Sequence, residues 1–223
     1  MHDPVRAIVH VVDDDPAVRQ QLLKLIEAAS LEARGYQSAG DFLSANATES
    51  QRPECLVLDI RMPEMSGIEL LRTLRANLWN MPVLLVSGHA DVPATIRGMK
   101  MGAVDLLQKP VDPLLFIEAV GRSLKISEAF KLEQAEAEAV SRRFKDLTVR
   151  ELELLALIVD GNSSKQIAFS LNISIRTVAN HRTSLMAKTG AANAADLARL
   201  FTRYKSNLAR PGHPRATGPN PTN

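Results

Sequence analysis

Three consecutive aspartates, Asp13-Asp14-Asp15, follow the apolar run Ala7–Val12, and a further one, Asp59, follows the run Cys55–Leu58. Ser87 stands directly after Val83–Val86, and Lys109-Pro110 lies just beyond Leu106–Leu107. Carboxylates gathered in one place repel one another and need a cation to coexist; oxygen donors of this kind suit Mg2+. With such an ion present, an attacking carboxylate, a hydroxyl and a lysine can accept a phosphoryl group and stabilise its charge. The chemistry depends on whether four segments so far apart in the chain meet.

The runs Ala7–Val12, Cys55–Leu58 and Val83–Val86 have the length and composition of buried strands, Asp105–Leu107 reads as the last strand, and helical patterns separate them. Ala7–Val12 leads into a helix over Pro16–Ala29, for which Asp15 is an N-cap and Pro16 suits the first turn, so Asp15 reads as a cap rather than a ligand. A second strand is expected at Glu32–Tyr36, followed by a short helix after Ser38. Ser66 and Glu69 form a capping box for the helix after Cys55–Leu58. A helix near Val92–Met101 is closed by Gly102, and another starts after Asp112-Pro113. Strands alternating with helices predict a parallel sheet covered on both faces. Open sheets of this kind bind ligands at the carboxyl edge, where all four segments end.

The first half is mildly acidic: residues 1–125 hold 13 Lys+Arg against 16 Asp+Glu. Residues 141–223 hold 13 basic and 5 acidic groups, which points to an anionic partner such as nucleic acid. The single Cys55 excludes an internal disulfide and, inside an apolar run, is expected to be a buried inert thiol. No apolar segment approaches the ~18 residues of a membrane span, and Met1–Arg6 lacks a signal-peptide pattern, so a cytoplasmic protein with no membrane partner is expected.

From Leu114 a helical pattern continues to about Phe144 with a ragged apolar stripe, which reads as a linker helix. Four short helices follow. Thr148 and Glu151 box the first, which Gly161 ends; Ser164 caps Lys165–Leu171; Ser174 caps Ile175–Lys188; Asn193 with Asp196 opens Ala194–Tyr204. Ser206–Asn223, with four prolines among polar residues, is expected to be disordered.

The stretch Asp59-Ile60-Arg61-Met62-Pro63-Glu64-Met65-Ser66-Gly67 resembles the phosphoacceptor segment of response-regulator receivers. Ser87-Gly88-His89-Ala90-Asp91-Val92-Pro93 and Val104-Asp105-Leu106-Leu107-Gln108-Lys109-Pro110 match two more receiver segments in the expected order. The resemblance implies strand order 2-1-3-4-5. It implies Asp59 as acceptor from a sensor histidine kinase, Ser87 as switch hydroxyl and Lys109 as phosphoryl partner. Mg2+ would be held by Asp14, Asp59 and the Arg61 backbone carbonyl, with Asp13 in indirect support, and Lys109-Pro110 would be cis. Leu106 departs from the pattern, since receivers carry a rotating aromatic there. Arg61 and His89, two residues past Asp59 and Ser87, flank the approach of a hydrolytic water and are read as tuning the phosphoryl lifetime.

Leu147-Thr148-Val149-Arg150-Glu151-Leu152-Glu153-Leu154-Leu155, Ser163-Ser164-Lys165-Gln166-Ile167-Ala168 and Thr177-Val178-Ala179-Asn180-His181-Arg182 resemble the DNA-binding domain of the LuxR/NarL class, FixJ-like in its pairing with a receiver. On the helix Ile175–Lys188, the stripe Ile175, Val178, Leu185 and Met186 is expected to anchor the bundle. Lys165, Arg176, Thr177, Asn180, His181, Arg182, Thr183 and Lys188 are the DNA-contact candidates, the cations on phosphate and Asn180 on adenine. Here too the chain departs from its family: Ala179 replaces a usual lysine, and Thr183 a residue that is often basic.

The expected architecture is an α/β five-stranded doubly wound receiver (1–125), a linker helix (126–143), an all-α four-helix helix-turn-helix domain (144–205) and a tail (206–223). The expected function is a two-component response regulator, phosphorylated on Asp59, that dimerises and binds double-stranded DNA to regulate transcription, with RNA polymerase as a further partner. Two rivals are a phosphorylation-independent DNA-binding protein whose receiver only dimerises, and an aspartyl-phosphate phosphatase or phosphotransferase. The latter class carries a second aspartate two residues past the nucleophile, where this chain has Arg61.

Overall fold

The computed structural model describes residues 7–46, 50–88 and 92–208. The chain divides into two compact units, Met1–Leu132 and Glu133–Asn223. In the first, β1 (Ile8–Val12), β2 (Glu32–Tyr36), β3 (Glu54–Asp59), β4 (Val83–Ser87) and β5 (Asp105–Gln108) form one parallel sheet in the order β2-β1-β3-β4-β5. Helices α1 (Pro16–Ala28), α2 (Ala39–Ala45), α3 (Gly67–Ala76) and α4 (Val92–Lys100) alternate with the strands, and α5 (Pro113–Lys145) follows β5. The expected five βα units are all present.

The two-residue period of the strands sorts the core into two layers. Val12, Leu56, Leu58 and Leu85 face Phe42 of α2 and Leu70, Leu71 and Leu74 of α3. Val9, Val11, Cys55, Val57, Leu84 and Val86 face Leu22 and Ile26 of α1 and Phe116, Ala119 and Val120 of α5. Because β1, β3 and β4 are buried on both sides they read as near-continuous apolar runs, broken in β1 by the buried His10, whereas β2 lies at the edge and carries the exposed Arg34 and Gly35. Cys55 is fully buried, and that burial pushes its thiol pKa far up, so it is an inert core residue.

The helix starts follow the cap chemistry. Asp15 accepts hydrogen bonds from the Ala17 and Val18 amides, and Ser66 and Glu69 complete their box. Gly67, the first residue of α3, packs directly on β3: a Cβ there would lie 2.1 Å from the Asp59 carbonyl oxygen and 3.0 Å from Leu58 Cγ. Gly67→Ala is therefore expected to destabilise the first unit by ~2 kcal/mol or more, seen as a lower urea midpoint. Gly121, with nothing within 4 Å of such a Cβ, is the control, where alanine should raise stability by ~0.5–1 kcal/mol. An unchanged midpoint for Gly67→Ala would show that the α3 entry yields at no cost.

Helix α5 runs unbroken through the expected boundaries at 125/126 and 143/144, and the division into units falls within it. The second unit holds α6 (Val149–Val159), α7 (Ser164–Leu171), α8 (Ile175–Thr189) and α9 (Ala194–Leu208), the four expected helices. They pack Leu154, Leu155, Ile167, Val178, Leu185 and Leu197 around Phe144 and Phe201, and the Phe144 ring stacks on Tyr204 at 4.8 Å.

Three expectations are corrected. Ser163, not Ser164, caps α7, because its side chain accepts from the Gln166 amide while Gln166 reaches back to the Ser163 N–H at 2.8 Å. Ile175 is 51% exposed and does not anchor α8; Val178 and Leu185 are buried and Met186 packs beside them, which suffices to seat the helix. Helix α9 extends to Leu208 rather than ending at Tyr204, so the expected tail does not begin at Ser206; its remainder, 209–223, lies outside the described residues. Among the described residues no helix is long and apolar enough to cross a membrane.

Candidate functional site

The parallel register delivers the chemistry-bearing residues to one edge. Asp59 ends β3 beside Val86 of β4, and Ser87 ends β4 beside Gln108 of β5. The Lys109 backbone N–H donates to the Ser87 carbonyl at 2.8 Å, which fixes the lysine at the strand ends. Asp13 follows β1, its own N–H bonded to the Tyr36 carbonyl and its Oδ1 accepting from the Asp15 amide at 3.0 Å. The Lys109–Pro110 peptide bond is cis.

Lys109 Nζ lies 2.7 Å from Asp13 Oδ2 and 3.3 Å from Asp59 Oδ2. Asp13, Asp14 and Asp59 each place a carboxylate oxygen so that all three lie within 4.8 Å of one another. Asp13 and Asp59 are buried while Asp14 is exposed. Burial raises the Asp59 pKa, and the Asp13 charge adds to this; Lys109 and the Arg61 backbone N–H act against them without cancelling the rise. For Lys109 burial acts to lower the pKa, but Asp13 and Asp59 outweigh it and hold the ammonium charged.

The three clustered carboxylates are a hard-oxygen donor set, the chemistry that Mg2+ requires, and the Lys109 ammonium stands beside them. The sequence reading placed Asp13 in an indirect role; here its carboxylate is the closer partner of Lys109, a pairing between residues 96 apart that no local signal reveals. Ser87 is buried at the same edge. Leu106 is half-buried against the α2–α4 layer, opposite Leu85. The Arg61 side chain is exposed and, with Arg72 and Arg97, lines a cavity of about 620 Å³. His89 lies outside the described residues.

In the second unit the candidate contacts separate. Lys165, Arg176, Asn180 and Thr183 are exposed. Thr177 Oγ1 bonds the cap residue Ser174 at 2.8 Å, and His181 is half-buried. Arg182 directs a guanidinium N–H to the Asn162 carbonyl at 3.4 Å. Lys188 Nζ bonds the Asp146 carbonyl at 3.3 Å and Glu151 Oε2 at 2.8 Å. Glu151, read from the sequence only as half of a capping box, is thus also the buried carboxylate that joins α6 to α8, accepting from Ser184 Oγ at 2.7 Å as well.

This fold and edge geometry are those of a receiver joined to a helical output domain, and the comparisons agree. Residues 9–121 match the response regulator receiver domain, and residues 145–201 match the luxR family of bacterial regulatory proteins. The chain belongs to the two-component response regulators that couple a receiver to a LuxR-type DNA-binding domain and control transcription. Within that class it is FixJ-like: it is 42% identical to the transcriptional regulatory protein FixJ of Azorhizobium caulinodans over 193 residues, covering 86% of this chain and 90% of that one. Among solved structures it is similar to response regulator StyR (35% identity, TM-score 0.81, 89% of this chain and 100% of that). It is also similar to full-length FixJ from B. japonicum (33% identity, TM-score 0.54, 89% and 97%).

Proposed function

We propose that Asp59 accepts a phosphoryl group from a phosphohistidine of a sensor kinase and that this controls dimerisation and DNA binding. The observation that carries the reading is the convergence of Lys109 with Asp59 and Asp13 at the strand edge. An Asp59 carboxylate oxygen attacks phosphorus; the O–P bond forms as the P–N bond breaks, and the imidazole leaves with the bonding pair. Lys109 and the Ser87 hydroxyl take the phosphoryl oxygens, which offsets the charge that the transferring group develops. Mg2+ bound by Asp14, Asp59 and the Arg61 carbonyl, with Asp13 beside them, would supply further positive charge to those oxygens. The chain is not expected to turn over an external phosphate ester, and it acts in the cytoplasm, with RNA polymerase as a further partner.

Residues 1–125 serve as receiver, 126–143 as linker and 144–205 as output domain in this reading. Phosphorylation acts by stabilising one of two states over the other, in proportion to its differential affinity for them. The test is footprinting across the genome with the native chain and with an Asp59 variant, paired with sizing of the phosphorylated protein. Phosphorylation-dependent protection and dimerisation are expected. Unchanged DNA affinity and oligomeric state would instead favour a receiver used only for dimerisation, the reading that Leu106 in place of an aromatic supports.

Removing the groups beside the acceptor is expected to change the phosphoryl lifetime. Arg61→Ala with His89→Ala should alter the dephosphorylation rate severalfold, followed as loss of phosphoprotein after the donor is removed. An unchanged rate would reduce both residues to solvated surface groups.

A further inference from the structure

Two of the cations expected on the DNA face of α8 make bonds within the bundle: Lys188 is held by Glu151 and the Asp146 carbonyl, and Arg182 is directed at Asn162. The outward row of α8, with the spacing i, i+4, i+7 and i+11, is Arg176, Asn180, Thr183 and Ala187, all exposed. It carries one cation, in the first turn. Alongside, Ile175, Ala179 and Thr183 stand four residues apart and are exposed, so their methyl groups form a row across the same surface. The Thr183 hydroxyl donates to the Ala179 carbonyl at 3.1 Å, which commits its polar end to its own helix. Asn180 makes no internal hydrogen bond among the described residues, so its carboxamide can both donate and accept.

We infer, on the reading that this unit binds DNA, that α8 selects A·T-rich half-sites. Asn180 pairs with an adenine, and Ile175, Ala179 and Thr183 pack on thymine methyl groups. A carboxamide matches the N6–H donor and N7 acceptor of adenine, and thymine alone presents a methyl group in the major groove. Guanine is most often read by arginine or lysine, and on this surface only Arg176 could read it. The N-terminal residues of a recognition helix are the part that meets base edges, and Ile175, Ala179 and Asn180 lie within the first two turns of α8.

The test uses the full chain treated with acetyl phosphate. Duplexes are selected from a randomised library, and the enriched duplex is compared with a copy carrying deoxyuridine for thymidine, which removes only the methyl groups. The selected half-sites should hold an adenine flanked by thymines, and binding should weaken ~fourfold for each contacted methyl lost. Asn180→Ala should weaken binding ~tenfold or more and relax the adenine preference. Ala179→Lys should shrink the deoxyuridine penalty and steepen the dependence of log affinity on log salt by about one. All these side chains are exposed, so the variants should melt with the native protein. Equal affinity for the thymidine and deoxyuridine duplexes, or selected half-sites read at G·C pairs, overturns the inference while leaving DNA binding intact. Failure of the native chain to enrich any duplex overturns the DNA-binding reading, and this one with it.

Discussion

Asp59→Asn is expected to reduce phosphoryl uptake from a phosphorylated sensor kinase, and from acetyl phosphate, to an undetectable level. The carboxamide has no anionic oxygen to attack phosphorus, and among the described residues no other carboxylate shares this position: Asp13 is committed to Lys109, and Asp14 is exposed at the rim. The same substitution separates chemistry from folding. Burial holds the Asp59 carboxyl above its ordinary pKa. A carboxyl raised in this way favours the folded state while protonated, and that contribution is lost as pH rises through the folded pKa. Above that pKa, in buffer without Mg2+, ionised Asp59 therefore opposes folding, and Asp59→Asn should melt no lower than the native chain. Phosphoprotein gels and thermal melts read the two effects. Continued uptake by the variant would place the acceptor elsewhere; a lower melting temperature would show that the Lys109–Asp59 attraction outweighs desolvation.

Glu151→Ala is expected to destabilise the second unit by ~3 kcal/mol, since it strands a buried network rather than one bond. The Glu151 carboxylate accepts from the Thr148 N–H and hydroxyl, from Ser184 and from Lys188, and is 3% exposed. Burial alone would push its pKa up. The Lys188 ammonium, the Thr148 N–H and the two hydroxyls outweigh burial and bring it down to about 2 from an ordinary 4.5. A carboxyl depressed in this way stabilises the fold fully above about pH 4.5 and loses that contribution as pH falls towards about 2. The native second unit should therefore unfold more steeply in acid than Glu151→Gln, which keeps much of the shape without the charge. DNA affinity should fall with the fold in Glu151→Ala, while phosphoryl uptake by the first unit persists. An unchanged urea midpoint would mean that Lys188 and Ser184 find water at no cost.

The strand runs and caps were legible because they are local. Val83–Val86 is buried on both faces and has no polar residue to hide, and Ser66 with Glu69 closes its box over three residues. The edge strand Glu32–Tyr36 was legible for the opposite reason, its polar residues marking a strand that solvent reaches. Helix α8 is less legible in the sequence. Its apolar residues lie on more than one face, and only the packing of α6 and α7 decides that Val178 and Leu185 are buried while Ile175 is left outside. The choice of Ser163 over Ser164 was open to the sequence, since Gln166 stands three residues after Ser163 and closes a capping box with it, whereas Ile167 stands three after Ser164.

Sequence alone determined which residues could do the chemistry and that β1, β3, β4 and β5 end at one edge, because a parallel sheet aligns its strands in the same direction. Tertiary structure decided the pairings between distant side chains: Lys109 lies closer to Asp13 than to Asp59, and Lys188 turns to Glu151, away from the outward face of α8. Charge attraction falls with distance and with water between the partners. Which carboxylate a cation meets therefore depends on where the folded backbone brings them, and spacing along the chain does not carry that information.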